Sequence, residues 1–225
     1  MKRLGLIGGT SYHSTLEYYK AINAQVIEQN ATHSNPELLL YSITMDVMRR
    51  QEQEEINSVY LNAAKKLQEA GAEAIVICAN TPHMAVEFVQ PQLEIPFLHI
   101  GNSIGKEAVQ HNFKKLLLLG NRPTITKAFL KDYLIEKYNL EVIIPEEEAI
   151  EKSHYFVSDE LTKGIFSKEA KAFYKELIEK HQNTIDAAIL GCTELPILLK
   201  DESSKIPYIK TTDLHIQSAV EFIIN

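Results

Sequence analysis

Ile75-Val76-Ile77-Cys78-Ala79-Asn80-Thr81-Pro82-His83 and Ala188-Ile189-Leu190-Gly191-Cys192-Thr193-Glu194-Leu195-Pro196 decide how this chain is read. Each is an apolar run that stops abruptly at small polar residues and gives way to a helical pattern. Aligned on their polar stops, Ala79-Asn80-Thr81 falls on Cys192-Thr193-Glu194. Open parallel α/β sheets bind ligands at the carboxyl ends of their strands. The chain is therefore expected to hold two similar ligand-facing corners, one in each half. One corner carries a thiol at the key position, and the other has an alanine there.

Working outward, apolar runs predict strands over Arg3–Gly8, Leu38–Thr44, Ala74–Cys78 and Phe97–Ile100 in the first half. Helical spacing predicts helices over Ser14–Asn30, Arg49–Gly71, His83–Gln90 and Ile104–Asn112. In Ser14–Asn30, Leu16, Tyr19, Ile22 and Val26 carry the period, and Gly71 is read as a helix C-cap. A second series starts at Leu116–Gly120. It continues through a helix over Lys127–Lys137, a strand over Glu141–Ile144, and helical stretches over Glu160–Ile165 and Lys168–His181. Strands over Ala187–Leu190 and Tyr208–Ile209 and a helix over Leu214–Ile224 close the chain. Glu146-Glu147-Glu148 reads as a solvated loop or helix start. Strands alternating with helices imply βαβ units and parallel sheets. The expectation is an α/β protein of two similar lobes, residues 1–100 plus 210–225 and residues 101–209.

The bulk properties narrow the function. The chain has 225 residues and a formal net charge of −7, which argues against nucleic-acid or anionic-membrane partners. Any acidic substrate must therefore meet local cations. Leu4-Gly5-Leu6-Ile7 is too short for a secretory signal, and no run approaches the roughly 20 apolar residues of a membrane span. Cys78 and Cys192 are read as free thiols in a reducing cytoplasm. The histidines show no metal-ligand spacing, and no phosphate loop or nucleophile elbow is present. The missing phosphate loop weighs against a flavodoxin-like nucleotide binder.

Gly8-Gly9-Thr10-Ser11 follows the first strand, where it forms either a plain tight turn or an anion-binding helix entry. Its spacing is not that of G-x-G-x-x-G. Asn80-Thr81 either orients a small polar ligand or caps the next helix. Cys192, at a strand end facing a helix, is either an inert buried thiol or one with a depressed pKa.

Together these segments resemble the aspartate/glutamate racemase family, within the wider group of cofactor-independent racemases, isomerases and decarboxylases. The likeness runs nearly end to end. It is carried by Gly8-Gly9-Thr10-Ser11-Tyr12-His13-Ser14-Thr15 with Tyr18-Tyr19 and Ile22-Asn23, by Asn80-Thr81-Pro82-His83, and by Gly120 to Thr124, where Asn121 stands in place of the usual threonine. Leu190-Gly191-Cys192-Thr193-Glu194-Leu195-Pro196 and Thr212-Asp213-Leu214-His215 complete it. The resemblance implies two pseudo-symmetric parallel-sheet lobes with an active-site cleft between them, no pyridoxal phosphate, no metal and a homodimer. It also implies two acid/base groups, usually both cysteines, on opposite faces of the substrate α-carbon.

This chain departs from the pattern at the first cysteine, which is Ala79. Cys78 is one residue earlier, and adjacent strand side chains point to opposite faces, so Cys78 is expected to face the core. The resemblance makes Cys192 the principal acid/base. It assigns Asn80, Thr81 and Thr193, with Thr124 from the second half, to the substrate carboxylate and its developing charge. Thr10, Ser11 or Thr81 becomes a substitute for the missing group, Glu194 positions Cys192, and Asp213 and His215 support the site. Arg49, Arg50 and Lys163 are candidates for the side-chain carboxylate of an acidic amino acid. The leading expectation is an aspartate or glutamate racemase. The alternatives are a one-cysteine lyase such as a decarboxylase, or a degenerate homologue that only binds a dicarboxylate.

Overall fold

The computed structural model describes residues 1–200 and 204–225. Along the chain run β1 (Leu4–Gly8), α1 (Tyr12–Gln29), β2 (Leu38–Ser42), α2 (Asp46–Arg50), α3 (Gln53–Glu69), β3 (Ala74–Ile77), α4 (Val86–Val89) and α5 (Ile100–Gln110). They are followed by β4 (Lys115–Leu119), α6 (Arg122–Thr126), α7 (Ala128–Tyr138), β5 (Glu141–Ile143), α8 (Glu147–Tyr155), α9 (Lys168–His181), β6 (Ala187–Leu190), α10 (Leu195–Leu198), β7 (Tyr208–Lys210) and α11 (Thr211–Ile224). The described residues divide into two compact units, Met1–Ile100 with Thr212–Asn225, and Gly101–Thr211.

In the first unit β1 is flanked by β2 and β3, all parallel, and a parallel bridge from Ile75 to Phe97 extends the sheet beyond β3. In the second unit the order is β5-β4-β6-β7, again parallel throughout. Both sheets thus place their second strand, first strand, third strand and a fourth segment in the same spatial order. The repeat read in the sequence is a repeat of topology.

The apolar runs are strands because both of their faces are covered. Ile75 and Ile77 point into a core with Ile56, Tyr60 and Val89. Ala74, Val76 and Cys78 point the other way, onto Tyr18, Ile22 and Val220. In the second unit Leu117, Leu119, Ala188 and Leu190 pack on Phe156, Tyr174, Leu177 and Leu195. Each fully buried Leu or Ile contributes about 1.5–3 kcal/mol, so the central strands anchor both units.

Some boundaries differ from expectation. The helix over Arg49–Gly71 is broken: Gln51 adopts φ 56, in the left-handed region, and separates α2 from α3. The surrounding residues are all polar, so nothing in the hydrophobic pattern marks the break. Phe97–Ile100 is not a strand, because Phe97 makes one bridge and Ile100 already starts α5. His83–Gln90 begins as a 3-10 turn over Thr81–Ala85, and Glu160–Ile165 contains only a short 3-10 turn at Leu161–Lys163. Helix α1 turns Tyr18, Ile22 and Val26 inward and leaves Leu16 and Tyr19 on the surface. Gly71 does end α3, at φ 91. No helix among the described residues is long and apolar enough to cross a membrane.

Candidate active site

In a parallel sheet the loops after neighbouring strands diverge where the strand order reverses, leaving a crevice at their carboxyl ends. In the first unit that point lies between β1 and β3, and in the second between β4 and β6. Ile7 pairs with Ile77, and Leu119 with Leu190. The residues two positions beyond the last pairs, Ala79 and Cys192, are therefore structural equivalents.

The corner after β1 and β3 is built from small residues. Gly9, at φ 93, passes so close to β2 that an added Cβ would stand 2.0 Å from the Ile43 carbonyl, so no other residue fits. Its N–H donates to Thr15 Oγ1 at 2.9 Å, and Ser11 caps α1 by accepting from the Ser14 N–H at 3.3 Å. These donors are satisfied internally. Thr10 Oγ1 lies 2.7 Å from the hydroxyl of buried Tyr60. Ala79 is half-buried and Cys78 is buried. Burial in an apolar core pushes the Cys78 thiol far above its ordinary range; it is an inert thiol.

For Asn80 the helix-capping alternative does not hold. Its side chain makes no helix-capping bond, and its Oδ1 is buried without a hydrogen-bond partner. An unsatisfied buried amide oxygen costs about 1–3 kcal/mol. Thr81 is buried beside it.

The corner after β6 is charged. Cys192 is half-buried, and its Sγ donates to Glu194 Oε2 at 2.8 Å. Thr193 Oγ1 donates to the same oxygen at 2.7 Å. Glu194 is buried and does not cap α10 with its side chain. Desolvation and then the Glu194 carboxylate push the Cys192 thiol well above its usual range. The backbone N–H groups of Glu194 and Leu195 pull the other way, less strongly. Of the two alternatives for this thiol, burial and the carboxylate weigh against a depressed pKa. The helix entry does favour a thiolate, but burial and an adjacent carboxylate outweigh it.

Beneath this corner Ser153 Oγ donates to the Gly120 carbonyl at 2.7 Å and stands 2.8 Å from the Tyr174 hydroxyl. Asn121 caps α6 by accepting from the Thr124 N–H at 2.9 Å, a task its side chain performs as well as threonine. Thr124 itself is fully buried.

The remaining expected residues sit as follows. Lys163 pairs with Asp159 at 3.0 Å, Arg49 with Asp46 at 3.3 Å and Arg50 with Glu55 at 2.5 Å, all on the surface. Asp213 is exposed in the first turn of α11. His215 is fully buried, with Nδ1 at 2.9 Å from the Tyr18 hydroxyl and Nε2 against the Leu98 carbonyl. Sequence reasoning quoted Tyr18 in the opening motif without giving it a role and passed over Tyr60, Ser153 and Tyr174, because a buried hydroxyl looks like any core aromatic or small residue until its partner is known. A surface cavity of 380 Å³, lined among others by Lys175, Ile178 and Tyr208, opens at the amino ends of β6 and β7, opposite to the Cys192 corner. Among the described residues no cluster of His, Cys, Asp and Glu could hold a metal.

Comparisons with known proteins agree with this fold. The Asp/Glu/hydantoin racemase family model matches residues 7–219. The broad-specificity amino-acid racemase RacX of Bacillus subtilis is 29% identical over 192 residues, 82% of this chain and 81% of that protein. A Yersinia pestis protein described as an Asp/Glu racemase superposes with a TM-score of 0.91 at 32% identity, covering 100% of both chains. An aspartate racemase homologue from Pyrococcus horikoshii gives 0.86 at 34% identity, again covering 100% of both chains.

Proposed function

Because the chain belongs to the Asp/Glu/hydantoin racemase family, we propose that it inverts the α-carbon of an acidic amino acid, aspartate or glutamate, with Cys192 as the proton-transferring group. The observation that carries this reading is the bond from Cys192 Sγ to the buried Glu194 carboxylate. That contact gives the thiol proton an acceptor within hydrogen-bond reach. When the S–H proton passes to Glu194 Oε2, the sulfur becomes a thiolate beside the N–H groups of Glu194 and Leu195. The thiolate then takes the substrate α-proton. The C–H bond breaks, an S–H bond forms, and the electron pair delocalises into the substrate carboxylate as an enediolate. Reprotonation of the carbon from the other face, by Thr10, Ser11, Thr81 or a water, completes inversion, and Glu194 returns its proton to that donor.

From the first unit, the unpaired Asn80 Oδ1 suits the substrate ammonium, and Thr81 its carboxylate. Arg49, Arg50 and Lys163 are held in exposed ion pairs, which are weak, so each can exchange its partner for a substrate side-chain carboxylate. The protein is further proposed to act as a cytoplasmic homodimer.

Ala79 favours a second reading. Alanine offers no proton, so unless Thr10, Ser11, Thr81 or a water serves the other face, Cys192 protonates from one side only, as in a decarboxylase of the same superfamily. Incubation of enantiopure L-aspartate and L-glutamate with the protein, followed by chiral chromatography, decides between them. The first reading expects conversion to the D-enantiomer. If neither amino acid is inverted while a malonate loses carbon dioxide, the second reading replaces it. If nothing is turned over and dicarboxylates only bind, the chain is a degenerate binder.

A further inference from the structure

Three motifs of the sequence meet in a network that the proton-transfer reading leaves unused: Tyr18 from the opening segment, His83 from Asn80-Thr81-Pro82-His83, and His215 from the closing segment. All three are buried. The rings of His83 and His215 stand 5.4 Å apart, and those of Tyr18 and His215 5.6 Å apart. His99 packs edge-on against His83 at 4.9 Å.

The hydrogen bonds fix the tautomers. A backbone N–H is always a donor and a carbonyl always an acceptor. The Ile100 N–H points at His83 Nε2 at 3.2 Å, so that nitrogen carries no proton. His83 Nδ1 lies 3.0 Å from the Ala79 carbonyl and 3.1 Å from that of Asn80, so it carries one. His215 has the opposite arrangement. Its Nε2 faces the Leu98 carbonyl and is protonated, leaving Nδ1 to accept from the Tyr18 hydroxyl. Both rings are neutral. They grip one short segment, Leu98 to Ile100, which is also held by the Leu98 N–H to the Ile75 carbonyl at 2.8 Å.

We propose that His83 is a positioning residue: its Nδ1–H holds the carbonyls of Ala79 and Asn80 while its Nε2 is anchored on Ile100, and this sets where the Asn80 amide is presented to substrate. The proposal rests on the racemase reading for its catalytic consequence, but not for its geometry. The corner that lost its thiol keeps a rigid frame, because Ala79 and Asn80 are tied through one imidazole to the segment beside β3. Burial and the neighbouring His99 and His215 disfavour a charged His83, consistent with the neutral form that the bonding requires.

The test uses the full chain with ¹⁵N-labelled histidine, asparagine and backbone. Ring-nitrogen NMR at pH 8 is expected to show the Nδ1–H tautomer for His83 and the Nε2–H tautomer for His215. An Nε2–H tautomer at His83 would overturn the proposal. His83→Leu is expected to move the Asn80 side-chain amide resonance and to lower kcat/KM by about tenfold or more per folded molecule. His83→Asn, which restores a donor near the Nδ1 position, is expected to return the Asn80 resonance towards its native position and recover part of the loss. An Asn80 resonance and kcat/KM indifferent to His83→Leu, with only the melting temperature reduced, would leave His83 a packing residue and end the proposal. If the unmodified protein inverts no amino acid, the racemase reading fails by itself, and the tautomer and Asn80 resonances still decide the positioning claim.

Discussion

At the end of β3 the N–H of Cys78 donates to the Ile7 carbonyl at 2.9 Å, and at the end of β6 the N–H of Gly191 makes the same bond to the Leu119 carbonyl at 2.9 Å. The backbones of the two corners therefore leave their sheets alike, and the side chains diverge at once. After β6 comes a half-buried thiol that donates to a buried carboxylate. After β3 come an alanine and an amide whose oxygen is buried and unpaired. Below the first corner lies a neutral histidine–tyrosine network, and below the second a serine–tyrosine pair on the Gly120 carbonyl. On the proposed function, a repeated scaffold carries two tasks independently: proton chemistry after β6 and ligand recognition after β3.

The comparison breaks most completely if the second corner is made like the first. Cys192→Ala is expected to lower turnover by about a thousandfold or more, roughly 4 kcal/mol of barrier, with the melting temperature little changed; chiral chromatography reads the loss. Acidification separates the corners by stability. His215 is neutral in the fold, its pKa pushed down by burial from 6.5 to about 4. The unfolded chain binds its proton first, so this stabilisation is complete above pH 6.5, falls as the pH drops from 6.5 towards 4, and changes no further below that. The loss reaches about 3 kcal/mol from His215 alone. His83, depressed in the same direction, adds to it. Hydrogen exchange between pH 7 and 4 should show amides of the first unit opening before those around Cys192. Equal opening in both units would count against the network.

Glu194→Gln sharpens the second corner through two readouts of opposite sign. Removing the carboxylate charge lowers the Cys192 pKa, so alkylation by iodoacetamide at pH 8 should accelerate. Turnover should nevertheless fall about tenfold to a hundredfold, because the proton acceptor is gone. A fall in both would mean that Glu194 only supports the loop. The smallest change is expected from making the first corner like the second. Ala79→Cys should raise inversion relative to α-proton exchange by a fewfold, and no gain would mean that another group already serves that face.

Much of this was legible in the sequence because it depends on local periodicity. Parallel strands covered on both faces must be apolar throughout, so β1, β3, β4 and β6 stood out. The period of two placed Cys78 in the core and turned Ala79 to the other side. The break at Gln51 was not legible, since an all-polar stretch carries no hydrophobic signal. The inward face of α1 was misjudged because Leu16 and Tyr19 share helical spacing with Ile22 and Val26, while Tyr18 does the burying. The sign of the Cys192 shift depends on Glu194 folding back onto the sulfur two residues away, and a linear sequence shows only the helix entry. The tautomer-locked network joins residues 18, 83, 98–100 and 215, whose proximity is a product of the fold alone.

The central claim is that the Cys192 sulfur exchanges hydrogen with the α-carbon of an acidic amino acid. Its most direct test is proton NMR of L-aspartate and L-glutamate with the protein in deuterium oxide. The account predicts that the α-proton signal of at least one of them disappears with the native chain and persists with Cys192→Ala. Persistence of both signals with the native chain, or equally fast loss with the variant, would contradict it.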